Sequence, residues 1–379
     1  GQDDSAACQE AIYNQEISTD QLNRGLYPET YMNVARKFVS SDIEGSVVRI
    51  RLFNSFIACV LILFALSINR RRDSDLFISW LAVIAISGVL SAHAQEPSYG
   101  AMLEGFDYPA SVQKFAFKSQ QLDMHMAYLD IKPTKPNGHV AVLLHGKNYC
   151  AATWQSTYEV LQKYGFRVIV PDQIGFCKSS KPAAYQYSFQ QLAHNTHALL
   201  NSLGISQVTV IGHSTGGMLA TRYALMFPQS VKQLVMVNPI GLEDWKAMGV
   251  PSLSIDQWYQ RELQVTDERI RNYERITYYV NEWKPEYEPW VQMIAGMFRG
   301  PDKQTVAWHS ALLYDMIFNQ PVVYEFPLLK VPTLLMMGEK DNTAIGKDLV
   351  STEIKAQMGL YPELARRTAK AIPGAKLIL

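Results

Sequence analysis

The sequence has little charge, and neither sign of charge is in excess. Lysine plus arginine and aspartate plus glutamate both number 35, which gives a formal net charge of +0 at pH 7. No global field therefore draws the protein to nucleic acid or to anionic lipid, and we predict no nucleic-acid partner. Charged residues make up only 18% of the 379 residues and hydrophobic residues 48%. This composition excludes a largely disordered chain and predicts a sizeable buried core.

Cysteine is also scarce. The four cysteines, Cys8, Cys59, Cys150 and Cys177, form no Cys-x-x-Cys pair and show no Cys/His ligand spacing. These absences exclude a recognisable zinc motif and a dense disulfide scaffold, and we predict no bound metal. We expect Cys150 and Cys177 to be two small buried thiols. Export of the protein would make a disulfide between them chemically possible.

Long apolar runs occur twice near the N-terminus, after a segment of residues 1–50 in which we recognise no chemistry. The first run, residues 52–68, is flanked on both sides by arginines and predicts a transmembrane helix within residues 51–72. A buried core helix is the alternative, although a soluble helix of this length normally carries a polar stripe. We therefore predict that the protein contacts a membrane through its N-terminal apolar segments.

The second apolar run, residues 76–90, follows an arginine cluster and ends just before an A-x-A sequence at 92–94. Basic residues, an apolar core and an A-x-A site are typical of a secretory signal peptide, here within residues 73–94. The alternative is a second membrane segment that forms a helical hairpin with the first. Both alternatives place residues 95–379 outside the cytoplasm, either periplasmic or secreted.

Strand and helix patterns alternate from about residue 139. Residues 189–203 place leucines on one face of a helix that ends before Gly204. The first two strands, joined by Gln120 and Gln121, predict an antiparallel hairpin at a sheet edge. The fold class that follows is α/β, with a mostly parallel eight-stranded sheet and helices on both faces. The predicted strands are 112–118, 122–130, 140–144, 167–170, 208–211, 234–237, 333–337 and 376–379.

Residues 241–329 lack β-type runs and predict a helical cap inserted between two strands of a domain that spans residues 95–379. Aromatic residues and methionines supply more apolar area here than an insertion needs merely to dock. We expect most of them to form the core of the cap and some to line a cleft that favours apolar acyl or aromatic substrates. Examples are Trp258, Tyr259, Tyr278, Tyr279, Trp283, Trp290, Met293, Met297 and Phe298.

A G-x-S-x-G motif follows the strand 208–211 and precedes a helical run. Its residues are Gly212, His213, Ser214, Thr215, Gly216 and Gly217. In a strand, turn and helix context this motif predicts a nucleophilic Ser214 on a sharp turn, where side chains two residues away would clash with the neighbouring chain. The helix behind Ser214 directs free N–H groups at a developing oxyanion. An ordinary glycine-rich turn is the alternative.

Two other segments complete the predicted site. The strand 140–144 is followed by His145, Gly146 and Lys147, and we predict that the backbone amides of Lys147 and Thr215 form an oxyanion hole. The side chains of Lys147 and Asn148 either take part in the site or are solvated.

The acid is predicted just past the strand 333–337. Asp341 occupies the position of a carboxylate that orients a catalytic histidine. Glu243 or Asp244, which follow the strand 234–237, are the alternative acids.

The sequence resembles the α/β-hydrolase superfamily, in its cap-bearing serine branch, over about residues 110–379. The resemblance rests on HGKN at 145, PDQIGFCKSSKP at 171, GHSTGG at 212 and MGEKD at 337. It implies Ser214 as nucleophile and Asp341 as acid, in an enzyme that cleaves small apolar carboxylic esters or related acyl substrates through an acyl-enzyme, without a cofactor. Perhydrolase- or haloperoxidase-like, lactonase and carbon–carbon hydrolase activities are alternatives. A non-catalytic ligand-binding module on this scaffold is the alternative from another class.

The general base is where the sequence departs from the superfamily pattern. The usual chain order is serine, acid, histidine, but all eight histidines precede Asp341. We therefore expect that the catalytic histidine is not in this chain, that the chain is a piece of a longer reading frame, and that the piece alone is almost inactive. Among the histidines present, we expect His213 to pack under the turn and His145 to shape its loop. His309 could reach the cleft from the cap.

Overall fold

A computed structural model describes residues 96–379 of the chain. The predicted N-terminal segment, transmembrane helix and signal or second membrane segment, residues 1–50, 51–72 and 73–94, lie outside the described residues and stay predictions. In the described part of the chain, no helix combines the length and the apolar character needed to cross a membrane.

The predicted eight-stranded, mostly parallel sheet is confirmed. The strands are β1 Val112–Ser119, β2 Leu122–Ile131, β3 Val140–Leu144, β4 Arg167–Pro171, β5 Val208–His213, β6 Val231–Val237, β7 Thr333–Met336 and β8 Lys376–Ile378. They lie in the order β1-β2-β4-β3-β5-β6-β7-β8, and neighbouring strands are parallel except in the pairs β1–β2 and β2–β4. The order therefore places the antiparallel hairpin at one edge of the sheet and β8 at the other.

The turn between β1 and β2 consists of Gln120 and Gln121. Both residues have positive φ angles, 48° and 64°. Left-handed backbone at both central positions matches the right-handed twist of the two strands, so a two-residue turn can join them directly. The strand register, with Ser119 opposite Leu122, follows from this turn.

Helices cover the sheet on both faces. Val168 and its neighbour Ile169 on β4 belong to different apolar clusters, because successive side chains of a strand point to opposite faces. Helix α1 (Gln155–Lys163) contributes to the cluster of Val168, and helices α2 (Phe189–Ser202) and α3 (Thr215–Met226) contribute to that of Ile169. The α-helices are α1 Gln155–Lys163, α2 Phe189–Ser202, α3 Thr215–Met226, α4 Ile255–Glu262, α5 Asp267–Thr277, α6 Glu288–Arg299, α7 Lys303–Asn319, α8 Thr352–Lys355 and α9 Tyr361–Ala371.

Residues 241–329, here called the helical insertion, connect β6 to β7 and contain α4 to α7. Helix α4 begins with a reciprocal cap, in which Ser254 Oγ accepts from Gln257 N and the Gln257 side chain accepts from Ser254 N. Many of the aromatic residues and methionines of the insertion are core residues, among them Trp258 and Met293, which are 4% and 0% exposed. Apolar burial therefore holds the insertion together.

Candidate active site

Ser214 occupies a sharp turn between the end of β5 and the start of α3. Its backbone has φ 55° and ψ −120°, a strained conformation for a residue with a side chain. Hydrogen bonds maintain it: Ser214 N donates to Val237 O at 3.2 Å, and Ser214 O accepts from Gly217 N at 2.9 Å and from Ile240 N at 3.3 Å. Strain of this kind occurs most often at functional sites.

Close backbone contacts explain the glycines around this turn. A Cβ atom on Gly216 would overlap the carbonyl oxygen of Leu144 on β3, and one on Gly212 would overlap the carbonyl oxygen of Gly216. A Cβ atom on Gly217 would lie 2.5 Å from Cβ of Pro239. The turn therefore brings β3, β5 and α3 closer together than residues with side chains would allow.

The loop after β3 lies against Ser214. A Cβ atom on Gly146 would be 3.1 Å from Cβ of Ser214. The backbone amides of Lys147 and Thr215 donate no hydrogen bond to any acceptor among residues 96–379. Amides that are free beside a serine, one of them at a helix N-terminus, are suited to bind a developing oxyanion.

His145 orders this loop. Its Nδ1 donates to Gly146 O at 2.8 Å, and its Nε2 accepts from Gln173 N at 3.0 Å. Burial lowers the pKa of His145, against the opposing effect of Asp172, which is consistent with a neutral ring that donates through one nitrogen and accepts through the other.

Asp341 follows β7, and both of its carboxylate oxygens accept hydrogen bonds. Oδ2 accepts from Asn238 Nδ2 at 2.7 Å, and Oδ1 accepts from Thr343 N at 2.9 Å and from Thr343 Oγ1 at 2.8 Å. Strands β5, β6 and β7 are adjacent and parallel. Ser214, Asn238 and Asp341, which follow these strands, therefore lie along one edge of the sheet, where α/β proteins bind their ligands.

The alternative acids have other partners. The carboxylate of Glu243 accepts from Trp245 Nε1 at 3.1 Å and from Gly359 N at 2.9 Å, and burial raises its pKa. Asp244 accepts from Tyr324 OH at 2.9 Å. Of the three acids, Asp341 is the one whose charge acts on the histidine next to Ser214.

That histidine, His213, is packed among aromatic rings. Its ring lies 5.7 Å from that of Tyr149 and edge-on to Trp154 at 6.3 Å, centroid to centroid. Among residues 96–379 it has no hydrogen bond to Ser214 or to Asp341. Burial lowers the pKa of His213 to about 4, against the opposing charge of Asp341. A ring with this pKa is a weak proton acceptor at neutral pH.

His309 lies in α7 and is also buried, with 1% of its surface exposed. Its Nδ1 is 2.8 Å from the hydroxyl of Tyr187. Burial, with a smaller contribution from the charge of Lys181, lowers the pKa of His309 to about 4. In the described part of the chain, the partners of His309 therefore include neither Ser214 nor Asp341.

Sequence reasoning missed Asn238, which donates a hydrogen bond to one oxygen of the Asp341 carboxylate. Asn238 follows β6 with φ 42°, a left-handed conformation that asparagine tolerates better than most residues. The Asn-Pro pair at 238–239 is a turn signal and could have located the strand end. This turn signal does not indicate which side chain the amide of Asn238 would contact.

A row of tyrosines extends from His213 into the helical insertion. The ring centroids of Tyr149 and Tyr278 are 5.6 Å apart, and those of Tyr278 and Tyr273 are 5.5 Å apart. Tyr273 is 42% exposed. The exposed part belongs to the rest of the residue, because the hydroxyl group is buried and this burial is the main cause that raises the pKa of the phenol. The row therefore brings apolar ring faces and hydroxyl groups close to the residues around Ser214.

The side chains of Lys147 and Asn148 face protein groups, which corrects the alternative that they are solvated. Lys147 Nζ donates to Ser310 Oγ at 2.7 Å, and its side chain is 11% exposed. Asn148 Nδ2 lies 3.5 Å from the hydroxyl of Tyr278. Both partners belong to the helical insertion, so the loop after β3 is also a contact between the sheet and the insertion.

The expectation of two buried thiols is wrong, because Cys150 and Cys177 form a disulfide with Cα atoms 6.0 Å apart. The loops after the neighbouring strands β3 and β4 bring the two residues together. Asp172 lies beside the sulfur atoms, but it accepts hydrogen bonds from Ala151 N and Tyr108 OH, both at 2.7 Å. With the sulfurs bonded to each other, this cluster offers no free thiolate to a metal.

Comparisons with known proteins place the chain in a family. The family model for the alpha/beta hydrolase fold matches residues 141–345, more than half of the chain. A solved structure of a probable hydrolytic enzyme from Pseudomonas aeruginosa PAO1 is 60% identical, with a TM-score of 0.75, and the similarity covers 75% of this chain and 91% of that one.

Two curated relatives are more distant. Lipase 1 of Psychrobacter immobilis is 27% identical over 255 residues, which are 64% of this chain and 71% of the lipase. An uncharacterized protein of Mycobacterium tuberculosis is 38% identical over 106 residues, 28% of this chain and only 30% of that protein. The residues matched by the family model include all of β3 except its first residue, the turn at Ser214 and Asp341. The chain therefore belongs to the α/β-hydrolase fold family.

Proposed function

We propose that the protein is a serine hydrolase that cleaves carboxylic esters or related acyl substrates through an acyl-enzyme intermediate. The observation that carries this proposal is the strained backbone of Ser214 at the N-terminus of α3, with the free amides of Lys147 and Thr215 beside it. This arrangement exposes a serine hydroxyl where negative charge on a substrate oxygen would be stabilised.

The reaction has two steps. Ser214 Oγ attacks the carbonyl carbon while a histidine takes the hydroxyl proton, and the amides of Lys147 and Thr215 bind the oxyanion. The alcohol leaves with the proton returned by the histidine, and the acyl group stays on Ser214. A water molecule, deprotonated by the same histidine, then attacks the acyl carbon and releases the acid and the free serine.

Asp341 orients that histidine and stabilises its charged form in this proposal. Within residues 96–379, no imidazole makes hydrogen bonds to both Ser214 and Asp341, and the low pKa of His213 suits it poorly to the task. We therefore assign the role of general base to none of the histidines described in residues 96–379.

The substrate that we propose is a small apolar ester. The aromatic row of Tyr149, Tyr278 and Tyr273 and the similarity to Lipase 1 of Psychrobacter immobilis support this choice. A charged acyl group would lose hydration among these rings, and tyrosine hydroxyl groups compensate for the lost water only in part. We expect kcat/KM for p-nitrophenyl butyrate to exceed that for the p-nitrophenyl monoester of succinic acid by about tenfold or more. Equal values would contradict the proposed preference.

We further propose that residues 95–379 act outside the cytoplasm. The disulfide between Cys150 and Cys177 supports this proposal because disulfides persist in oxidising compartments. Alkaline phosphatase fused after residue 110 should therefore be active in a bacterial host. Activity only from a cytoplasmic reporter at the same position would reverse the predicted topology.

Covalent labelling of the full-length protein with a fluorophosphonate tests the assigned nucleophile. We expect one adduct, located on Ser214 by mass spectrometry, and no labelling of Ser214→Ala. Ser202→Ala, at the end of α2, is a matched control and should label normally. Labelling that persists in Ser214→Ala would disprove the assignment of the nucleophile.

Labelling, combined with assays of ester hydrolysis and of ligand binding, separates the alternative functions. Ser214-dependent labelling without hydrolysis of any ester would favour a lactonase or a carbon–carbon hydrolase. Tight binding of a hydrophobic ligand without labelling or turnover would favour a non-catalytic binding module.

A further inference from the structure

A mostly buried charged cluster joins the loop after β3 to the helical insertion. Lys147 Nζ donates to Ser310 Oγ at 2.7 Å, and Ser310 Oγ donates to Glu262 Oε2 at 2.5 Å. Lys147 Nζ and Glu262 Oε2 are 3.6 Å apart, with only 11% and 10% of the two side chains exposed. The serine hydroxyl therefore bridges an ion pair that is largely removed from water.

An aromatic ring completes this group, which we call the Lys147 cluster: Lys147, Glu262, Ser310 and Tyr314. Lys147 Nζ lies 3.6 Å from the centroid of the Tyr314 ring, a cation–π contact. Trp258 stacks parallel to the same ring, at 4.9 Å between centroids. The ammonium group thus contacts an anion, a hydroxyl and a ring face, all of them from the helical insertion.

Local structure does not explain the position of Glu262. It is the last residue of α4, and the C-terminus of a helix favours cations over anions. The helical insertion therefore carries an acid where its own helix disfavours one. The contact with the Lys147 ammonium compensates for that location, whereas removing the lysine would leave a mostly buried carboxylate without its cation.

The backbone of Lys147 lies in the loop that packs against Ser214. The loop is attached to the sheet side of the protein through His145 Nε2, which accepts from Gln173 N, and through the disulfide at Cys150. Between these two points, the Lys147 side chain is attached to α4 and α7. The position of the Lys147 side chain therefore depends on how the helical insertion packs against the rest of the domain.

We infer that Lys147 is a positioning residue, whose side chain fixes the oxyanion-binding amide of the same residue against Ser214 by binding Glu262, Ser310 and Tyr314. The inference rests on the proposed function for its catalytic consequence. It makes the helical insertion a part of the machinery that stabilises the transition state. Loss of the contact allows the loop to move, and small displacements of an oxyanion donor reduce turnover strongly.

Amide hydrogen exchange of the full-length protein tests the attachment itself, without reference to any activity. Lys147→Met keeps the length of the side chain and removes its charge, and Glu262→Gln removes the partner charge from the other side. We expect both variants to accelerate exchange in the peptide that covers residues 145–150. The control is Glu325→Gln, which removes a different ion pair of the insertion, with Arg222 on α3, and should leave exchange in that peptide unchanged.

Ester kinetics test the catalytic consequence. We expect Lys147→Met and Glu262→Gln each to lower kcat about 10- to 100-fold, with KM within about threefold of the unmodified protein. The double variant should be no worse than Lys147→Met, because the two residues act through one contact. Lys147→Arg, which keeps the charge, should recover part of kcat. Glu325→Gln should retain kcat even where it lowers the melting temperature.

Unchanged exchange at residues 145–150 in both variants, or an equal acceleration in Glu325→Gln, would overturn the attachment. Faster exchange together with unchanged kcat would overturn its catalytic role. If the unmodified protein shows no Ser214-dependent hydrolysis or labelling, the proposed function fails, while the exchange measurements still decide whether the insertion orders the loop.

Discussion

Asn238 Nδ2 donates a 2.7 Å hydrogen bond to Oδ2 of Asp341. The two residues follow neighbouring parallel strands, β6 and β7, and are more than 100 residues apart in the sequence. Thr343 binds the other carboxylate oxygen through its amide and its hydroxyl. Asn238 at the sheet edge and Thr343 in the loop of Asp341 itself therefore orient the carboxylate without a contribution from any histidine.

Loss of the Asn238 side-chain amide should reduce turnover more than it reduces substrate binding. Asn238→Gly removes the hydrogen bond and relieves the left-handed backbone at φ 42°, so the variant isolates the contact from strain. We expect kcat for a p-nitrophenyl ester to fall about tenfold because the carboxylate can rotate, with little change in KM. Asn238→Ala should show the same loss of kcat with lower thermal stability. Full activity in Asn238→Gly would show that Thr343 alone orients Asp341.

Substitution of Gly216 should disrupt the turn at Ser214. The Cβ atom of Gly216→Ala would overlap the carbonyl oxygen of Leu144, and backbone cannot move aside as a flexible side chain can. We expect a loss of stability of about 1–3 kcal/mol in urea unfolding and loss of fluorophosphonate labelling. Gly138→Ala is the control: it has φ 82° and no atom within 4 Å of the added carbon, so it should lose stability through backbone strain alone and label normally.

Glu274 should make the stability of the folded domain fall as the pH rises. Neither carboxylate oxygen has a hydrogen-bond partner among residues 96–379, and the side chain is 0% exposed. Burial raises the pKa of Glu274 from 4.5 to about 8. Between these two values the folded state retains a proton that the unfolded state has released. The contribution of protonated Glu274 to the free energy of unfolding is therefore complete below about pH 4.5 and is lost as the pH rises through about 8.

Thermal and urea unfolding at pH 5.5 and pH 8.5 measure this effect. Glu274→Gln remains neutral at both values, so it should lose less stability between them than the unmodified protein, by a difference on the order of 3 kcal/mol. Glu268→Gln, an exposed residue of the same helix, should behave like the unmodified protein. The same pH dependence in Glu274→Gln would show that Glu274 is ionised in the folded state.

The disulfide should stabilise the folded domain. Cys150 and Cys177 are separated by 27 residues, and a cross-link over a loop of this size typically contributes about 2–4 kcal/mol. We expect a reductant to lower the midpoint of urea unfolding accordingly. The double variant Cys150→Ala/Cys177→Ala should unfold at this lower midpoint and should not respond to reductant. A midpoint that does not change on reduction would mean that the bond contributes nothing to stability.

The sequence by itself determined the sheet and the turn that carries Ser214. Strands such as Val140–Leu144 are short apolar runs, and Gly212, Ser214 and Gly216 occur in one local motif. These signals act over a few residues, because backbone conformation and side-chain periodicity depend on near neighbours. The rule that parallel strands end at one sheet edge then predicted that Asp341 and Ser214 lie along the same edge, although it did not supply the partners of the Asp341 carboxylate.

Only the tertiary structure decided which distant side chains meet. The contacts of Asn238 with Asp341, of Lys147 with Glu262 and of Cys150 with Cys177 join separate loops and helices, and the full burial of Glu274 depends on how the insertion packs. No local preference encodes such contacts. They follow from the packing of whole elements, which fixes loops and helices at distances that a pattern of neighbouring residues does not contain.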